Sequence, residues 1–152
     1  MATVYLGLGT NLGDKEANLR TAIYKLQERI GKQVSLSSFY ETAPWGFESD
    51  HSFLNAAIGL ETSLSPIEIL HITQEIEKEL GRTKKSVNGS YSDRLIDIDI
   101  LLYDNLVLQT PELTVPHPLM TERDFVMKPL IEIAGNAIHP TLQKTLSELY
   151  LE

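Results

Sequence analysis

The spacing of apolar residues along the chain predicts four main β-strands. Apolar positions alternate with polar or small ones over residues 2–9, around 34–40, over 53–62 and over 94–102. A repeat of two is typical of a strand, because successive side chains point to opposite faces. In the first strand Gly7 and Gly9 leave one face nearly bare, so another group can approach that face closely.

Two amphipathic helices separate these strands, and each has a recognisable beginning. Asp14 predicts the N-cap of a helix that runs to about residue 30 and ends at Gly31. Ser65 and Glu68 form a capping box, with a proline at the first helical position between them. This second helix is expected to continue to residue 80, where another glycine stops it.

Beyond the fourth strand the pattern predicts shorter elements. Asp104 and Asn105 indicate a turn, with a hairpin partner of the fourth strand over 106–108. A short strand over 113–115 and helices around 129–134 and 141–150 follow. The β-α-β-β-α-β order predicts an α+β protein with a ferredoxin-like α/β sandwich, a mostly antiparallel sheet, and an extra C-terminal hairpin and helices. We expect a single domain over residues 1–152.

The fourth strand carries an unusual pair of carboxylates. Its apolar residues are predicted on one face, namely Ile96, Ile98, Ile100 and Leu102. Asp97 and Asp99 share the other face, with Cα atoms about 6.5–7 Å apart. Two carboxylates in such a strand are unfavourable unless they are paired or bind a metal, and this spacing suits a pair of divalent ions. The alternative is a solvent-facing strand side that happens to carry two acids.

The composition narrows the classes of function. A net charge of -8 disfavours general binding to nucleic acid or to anionic membranes. The chain has no cysteine and therefore no disulfide. Its first residues do not resemble a signal peptide, and it has no apolar run long enough to span a membrane. We therefore expect a cytoplasmic protein, and a monomer.

Two loops and one strand amide are further candidates for ligand contact. The loop over 41–52 contains Trp45 and Phe47, which either stack on a planar ligand or fill the edge of the core. The loop over 82–94 concentrates basic residues among small polar ones, which is typical of solvated surface but leads here into the two-aspartate strand. Asn55 offers donors and an acceptor to a heterocycle edge, or else it bonds the backbone of a neighbouring loop.

Carboxylates and a basic loop together favour transfer of a phosphoryl-type group. In such reactions catalysis consists of positioning and of neutralising developing charge. Mg²⁺ binds through one or two carboxylates together with substrate phosphates. Arg82 and Arg94 can bind phosphate oxygens bidentately, and Lys84 can act as a point charge. No side chain is placed as a covalent nucleophile, so we expect direct transfer.

Seven short motifs, in order and at compatible spacing, resemble 6-hydroxymethyl-7,8-dihydropterin pyrophosphokinase of folate biosynthesis over nearly the whole chain. They are Gly9-Thr10-Asn11-Leu12-Gly13, Ser38-Phe39-Tyr40-Glu41-Thr42, Pro44-Trp45-Gly46, Phe53-Leu54-Asn55-Ala56-Ala57, Arg94 with Asp97-Ile98-Asp99-Ile100-Leu101, Thr114-Val115-Pro116-His117 and Glu122-Arg123-Asp124-Phe125. Each motif alone is weak, but the ordered set is specific.

The resemblance implies an enzyme that transfers pyrophosphate from ATP to the hydroxymethyl group of the pterin and releases AMP. It implies that Asp97 and Asp99 bind two Mg²⁺ ions, and that Arg82 and Arg94 neutralise the transferring group. The implied pterin contacts are Thr42, Ala43, Pro44, Trp45, Phe53, Asn55 and Phe125. The implied ATP contacts are Leu70, Gln74, Glu77, Lys84, Tyr91, Arg94, Ile100, Thr114, His117 and Arg123.

The chain departs from the family pattern at a few of these positions. Lys84 stands where an arginine is common, Tyr91 stands where a tryptophan is common, and the loop that carries them is slightly longer. Glu112 lies near a position that can carry a nucleotide-contacting arginine. Few apolar side chains anchor residues 82–93, so we also expect this segment to act as a lid over bound ATP.

Two other functions are compatible with parts of the pattern. A nucleotidyltransferase of the polymerase-palm type is also ferredoxin-like with two metal-binding aspartates, but it would release pyrophosphate, and the acidic composition disfavours it. A non-enzymatic module that senses a small molecule has no need for Asp97 and Asp99 beside a basic loop. Identifying the nucleotide product separates these alternatives.

Overall fold

The computed structural model describes residues 1–42, 52–81 and 96–151. The strands are β1 (Ala2–Thr10), β2 (Gly31–Leu36), β3 (Tyr40–Thr42), β4 (Phe53–Thr62), β5 (Asp97–Tyr103), β6 (Leu108–Gln109) and β7 (Thr114–Val115). The helices are α1 (Lys15–Arg29), α2 (Pro66–Glu79), α3 (Asp124–Ala134) and α4 (Leu146–Leu151), with a short 3-10 helix at Met120–Glu122. Every helix within these residues is too short or too polar to cross a membrane.

The main sheet is antiparallel and has the order β2-β4-β1-β5, with β3 also paired to β4. The two inner strands are therefore β1 and β4. This order and the two helices that connect the strands confirm the predicted ferredoxin-like α+β sandwich. The extra hairpin consists of β6 and β7, which form a separate two-stranded sheet.

Each face of the main sheet is covered by its own apolar core. One core contains the apolar faces of α1 and α2 against residues such as Leu6, Ile58 and Ile98. The other contains Met127 and Leu130 of α3, with parts of α4, against residues of β4 and β5. One face of β4 therefore packs in the first core and the other face in the second, as the alternation of its residues predicts.

A β-bulge in β5 corrects the predicted assignment of faces. Leu6 is paired with Ile100 but Tyr5 is paired with Leu102, so Leu101 has no partner of its own in β1. An extra residue reverses the alternation that follows it. As a result Leu102 joins Leu101 in the α3 core, and the predicted single face from Ile96 through Leu102 is wrong at its last residue.

The predicted N-terminal ends of α1 and α2 are confirmed. Asp14 accepts a hydrogen bond from the N–H of Ala17 at 3.1 Å, and both halves of the capping box at Ser65 are present. The predicted end of α1 before Gly31 is also confirmed, since α1 ends at Arg29 with Ile30 as its C-cap. Gly31 itself begins β2, and a Cβ there would lie 1.9 Å from the carbonyl oxygen of Glu61, so glycine is needed for close strand approach.

Two stretches of the predicted strand pattern differ in the structure. The second strand is divided into β2 and β3, because the Ser37 hydroxyl accepts the N–H of Ala57 at 2.8 Å in place of a backbone carbonyl. Residues 106–108 do not pair with β5 as predicted; Leu108 pairs instead with Val115 of β7. Helix α3 begins earlier than predicted, and α4 begins later.

Candidate functional site

A row of residues across three strands forms the floor of the candidate site. Gly9 of β1 is paired with Asn55 of β4 on one side and with Asp97 of β5 on the other. In the next row Gly7 is paired with Asp99. Directly paired residues point to the same face of a sheet. An amide and two carboxylates therefore share the α3 face, separated by a strip without side chains.

Because Gly9 has no side chain, the carboxamide of Asn55 can lie over β1. A Cβ at this position would lie 3.0 Å from Asn55 Oδ1 and 3.8 Å from Cδ1 of Phe53. The predicted close approach to the bare face of β1 is therefore confirmed, and the approaching group is a candidate ligand-binding amide. Gly9 therefore forms part of the floor of the candidate site, and the structural turn follows it in the chain.

Asn55 is held by a side chain of the short strand β3. It is 4% exposed, and its Nδ2 donates a hydrogen bond to Thr42 Oγ1 at 2.8 Å. This partner is a strand hydroxyl and not the backbone of a loop. Two predicted pterin contacts are thus directly bonded, and the carboxamide has a defined orientation.

Asp97 and Asp99 lie half-buried on the same face. Within residues 1–42, 52–81 and 96–151, no three histidine or acidic side chains gather into a cluster that could hold a metal. Two carboxylates on one strand face fit Mg²⁺, which takes its remaining ligands from water and substrate phosphates. The donor set therefore fits a metal that binds together with a phosphorylated substrate.

His117 and Arg123 are brought close to Asp97 from two different segments. Burial and the positive charge of Arg123 lower the pKa of His117, and the charge of Asp97 partly opposes them. The Nδ1 atom of His117 accepts the N–H of Leu119 at 3.2 Å. The neutral imidazole therefore carries its proton on Nε2, where it can donate to an anionic group.

Two aromatic residues border this face of the sheet. Phe53 begins β4, opposite Thr42 and on the same face as Asn55. Phe125 lies in the first turn of α3 and packs against the α3 core. The guanidinium carbon of Arg123 lies 5.7 Å from the centroid of the Phe125 ring, which fixes the arginine beside the aromatic surface.

The predicted nucleotide contacts on α2 fall into two groups. Gln74 is exposed and Leu70 is partly buried. Glu77 is 6% exposed, and its Oε2 accepts the N–H of Ile98 at 2.9 Å. Glu77 therefore has a structural role at the outer edge of β5, since it satisfies a donor that no strand in the described ranges covers.

Two other predicted nucleotide contacts lie beside this edge. The Ile100 side chain is 4% exposed within the α1–α2 core, so its backbone is the part that faces the strand edge. Thr114 lies in β7, and Glu112 of the same hairpin reaches His71 of α2 at 3.9 Å. The hairpin and α2 thus approach each other, and both contact β5.

The remaining predicted contacts lie outside the described residues. They are Ala43, Pro44, Trp45, Arg82, Lys84, Tyr91 and Arg94, together with the predicted lid over 82–93.

Sequence reasoning missed two sets of residues that bound the site. Lys15 donates to the Ser52 hydroxyl at 3.1 Å, and that hydroxyl donates to Glu41 at 2.8 Å, which links the described residues on both sides of the segment 43–51. Glu132 of α3 accepts hydrogen bonds from the Ser38 and Tyr40 region beside Asn55. Both sets join residues far apart in sequence, so no local pattern indicates them.

The chain is similar to known proteins over most of its length. Residues 5–135 match the sequence model of the family described as 7,8-dihydro-6-hydroxymethylpterin-pyrophosphokinase. A Porphyromonas gingivalis protein named 2-amino-4-hydroxy-6-hydroxymethyldihydropteridine pyrophosphokinase is 58% identical over 141 residues, covering 92% of this chain and 95% of that protein. A protein of the same name from Aquifex aeolicus is 46% identical over 148 residues, covering 97% and 90%.

The fold also matches solved structures. The wild-type HPPK-DHPS of Plasmodium falciparum superposes with a TM-score of 0.77 at 17% identity. The match covers 99% of this chain but 44% of that one. At this identity the likeness concerns the fold alone.

Proposed function

The chain belongs to the 7,8-dihydro-6-hydroxymethylpterin-pyrophosphokinase family, and on that premise we propose that it transfers pyrophosphate from ATP to 6-hydroxymethyl-7,8-dihydropterin. The products are AMP and the pterin pyrophosphate. The observation that carries this proposal is the row in which Gly9 separates Asn55 from Asp97. It offers a heterocycle-binding amide and a metal-binding carboxylate on one face, two strand spacings or about 9–10 Å apart.

On the pterin side, Asn55 pairs with the polar edge of the ring. Its bond to Thr42 holds the carboxamide in one orientation before the ligand arrives, which lowers the entropy lost on binding. Phe53 and Phe125 supply the aromatic faces between which the ring stacks. Residues 43–45 are proposed to complete this pocket.

On the phosphate side, Asp97 and Asp99 would hold two Mg²⁺ ions together with the phosphates of ATP. Mg²⁺ bound there would neutralise phosphate charge. The Nε2–H of His117 donates to a phosphate oxygen, and Arg123 adds a positive charge beside it. Arg82 and Arg94 are proposed to neutralise the transferring group.

The adenine base is proposed to bind at the outer edge of β5. In an antiparallel ladder alternate residues direct their backbone groups to the same side. The N–H of Ile98 faces Glu77, so Ile100 also directs its N–H and carbonyl to that edge. Leu70 and Gln74 on α2 and Thr114 on β7 then flank a base that pairs with this backbone.

The reaction is a direct in-line displacement. The pterin hydroxyl oxygen attacks the β-phosphorus of ATP and gives its proton to solvent water as the new P–O bond forms. The bond between the β-phosphorus and the oxygen bridging to the α-phosphate breaks, and AMP leaves with that electron pair. Since Asn55 and Asp97 flank the same strip of β1, the hydroxymethyl group and the β-phosphate are held side by side.

The test is to supply ATP, Mg²⁺ and the hydroxymethyl pterin, and to identify the products by chromatography. AMP with pterin pyrophosphate supports the proposal, whereas ADP indicates an ordinary hydroxyl kinase and released pyrophosphate indicates a palm-type transferase. Asp97→Asn and Asp99→Asn should each lower kcat at least about 100-fold while the fold is kept. Asp104→Asn, at the opposite end of β5, is the matched control and should keep wild-type kcat.

A further inference from the structure

An exposed glutamate of α3 makes an unusually dense set of hydrogen bonds. Both carboxylate oxygens of Glu132 accept the N–H of Ser38 at 3.0 Å. One of them also accepts the Ser38 hydroxyl at 3.2 Å, and the other accepts the Tyr40 hydroxyl at 2.6 Å. The Tyr40 hydrogen bond and those from Ser38 lower the pKa of Glu132, so it is ionised at neutral pH and acts as an acceptor alone.

These bonds fix the strand that carries the partner of Asn55. Strand β3 has three residues, and in the described part of the chain it pairs with β4 alone. A strand this short at a sheet edge is held weakly by its own ladder. Tyr40 is paired directly with Asn55, and Thr42, two residues further along, accepts the Asn55 carboxamide.

We propose that Glu132 is a positioning residue for the pterin-binding carboxamide. It fixes Ser38 and Tyr40 to α3, which sets the position of β3 beside β4 and thereby the place of the Thr42 hydroxyl. That hydroxyl in turn orients Asn55. This inference rests on the proposed function, because the ligand that Asn55 is taken to bind is the pterin.

The position of Glu132 allows a clean test. Its side chain is exposed, so its replacement does not open the core. Glu132→Gln keeps the shape but leaves one acceptor oxygen for the donors that two oxygens now share. A matched control is Glu79, whose carboxylate binds Lys25 and Arg29 through three hydrogen bonds between α2 and α1, on the opposite face of the sheet.

The experiment measures dissociation constants of the full chain for the hydroxymethyl pterin, and separately for a non-hydrolysable ATP analogue with Mg²⁺. Glu132→Gln should weaken pterin binding about ten-fold and Tyr40→Phe about three-fold, with ATP-analogue affinity within about two-fold of wild type. Glu79→Gln should leave pterin affinity unchanged. In an Asn55→Ala background, Glu132→Gln should have no further effect on pterin binding, because the coupling runs through Asn55.

Three results would overturn the inference: equal pterin losses in Glu132→Gln and Glu79→Gln, a parallel loss of ATP-analogue affinity, or a full Glu132→Gln effect without Asn55. A second measurement does not depend on the ligand. The side-chain amide NMR resonances of Asn55 in the ligand-free protein should shift in Glu132→Gln but not in Glu79→Gln. Unshifted resonances refute the positioning role, whereas shifted resonances without pterin binding by the wild type refute the proposed function instead.

Discussion

Gly9→Ala tests whether the bare strip of β1 is part of the ligand site. The new Cβ would lie 3.0 Å from Asn55 Oδ1, closer than an ordinary van der Waals contact. The β1 backbone is fixed by ladders on both sides, to β4 and to β5. The carboxamide of Asn55 therefore has to move, and it moves away from the floor of the site.

The expected effect on binding is larger than the effect on folding. Replacing glycine by alanine lowers the conformational entropy of the unfolded chain and stabilises by about 0.4–1 kcal/mol, which offsets much of the local strain. A displaced carboxamide leaves a polar edge of the bound ring unpaired, which costs about 1–3 kcal/mol. Pterin affinity should therefore fall about 5- to 150-fold, while the free energy of unfolding changes little.

The assay is calorimetric titration with the hydroxymethyl pterin in the presence of an ATP analogue, alongside urea unfolding. Gly7→Ala is the control on the same strand and face, since its Cβ would lie 3.4 Å from the flexible end of Leu101. Wild-type pterin affinity in Gly9→Ala, or an equal loss in both variants, would show that pterin binding does not depend on the contact between position 9 and Asn55.

Three further predictions concern the surroundings of the site. Glu77→Ala should lower the free energy of unfolding by about 1–3 kcal/mol in urea titrations, because it leaves a buried N–H of β5 without its acceptor, whereas Gln74→Ala on the same helix should not. The hydrogen bonds from Arg29 and Lys25 lower the pKa of Glu79 to about 2. The stability that these bonds contribute should be fully present above pH 4.5 and be lost as the pH falls toward 2, so the unfolding curves of wild type and Glu79→Gln should converge there. The pKa of His117, measured by NMR, should lie below 6.5. It should rise in Arg123→Gln, since that change removes a neighbouring positive charge. An unchanged pKa would show that Arg123 does not lie close enough to His117 to affect it.

The elements that the sequence predicts well are those set by local periodicity and capping. Strand β4 begins and ends where its alternation indicates, and its two faces enter the two cores. The starts of α1 and α2 follow from Asp14 and Ser65, whose side chains bond backbone groups within the next three residues. Such features depend on neighbours in the chain, which the sequence displays directly.

Features that depend on distant partners were predicted poorly. The break between β2 and β3 depends on the Ser37 hydroxyl finding the N–H of Ala57, twenty residues away. The bulge at Leu101 depends on how β5 meets β1, and every residue from 96 to 102 is compatible with an unbroken strand. Glu132 occupies an exposed helical position, where the pattern indicates solvent, and its partners lie more than ninety residues earlier.

The candidate site combines both kinds of information, because the register that forms it is fixed by the core. A slip of β1 by one residue would turn Gly9 away from Asn55 and Asp97 and would also turn Leu6 and Leu8 out of the α1–α2 core. Burying two leucines outweighs any gain from the slipped pairing, at about 1.5–3 kcal/mol for each side chain. The apolar face of β1 thus holds its opposite, bare face in place between the amide and the carboxylates. The motif residues indicate which groups take part, whereas the apolar residues between them determine that the groups meet.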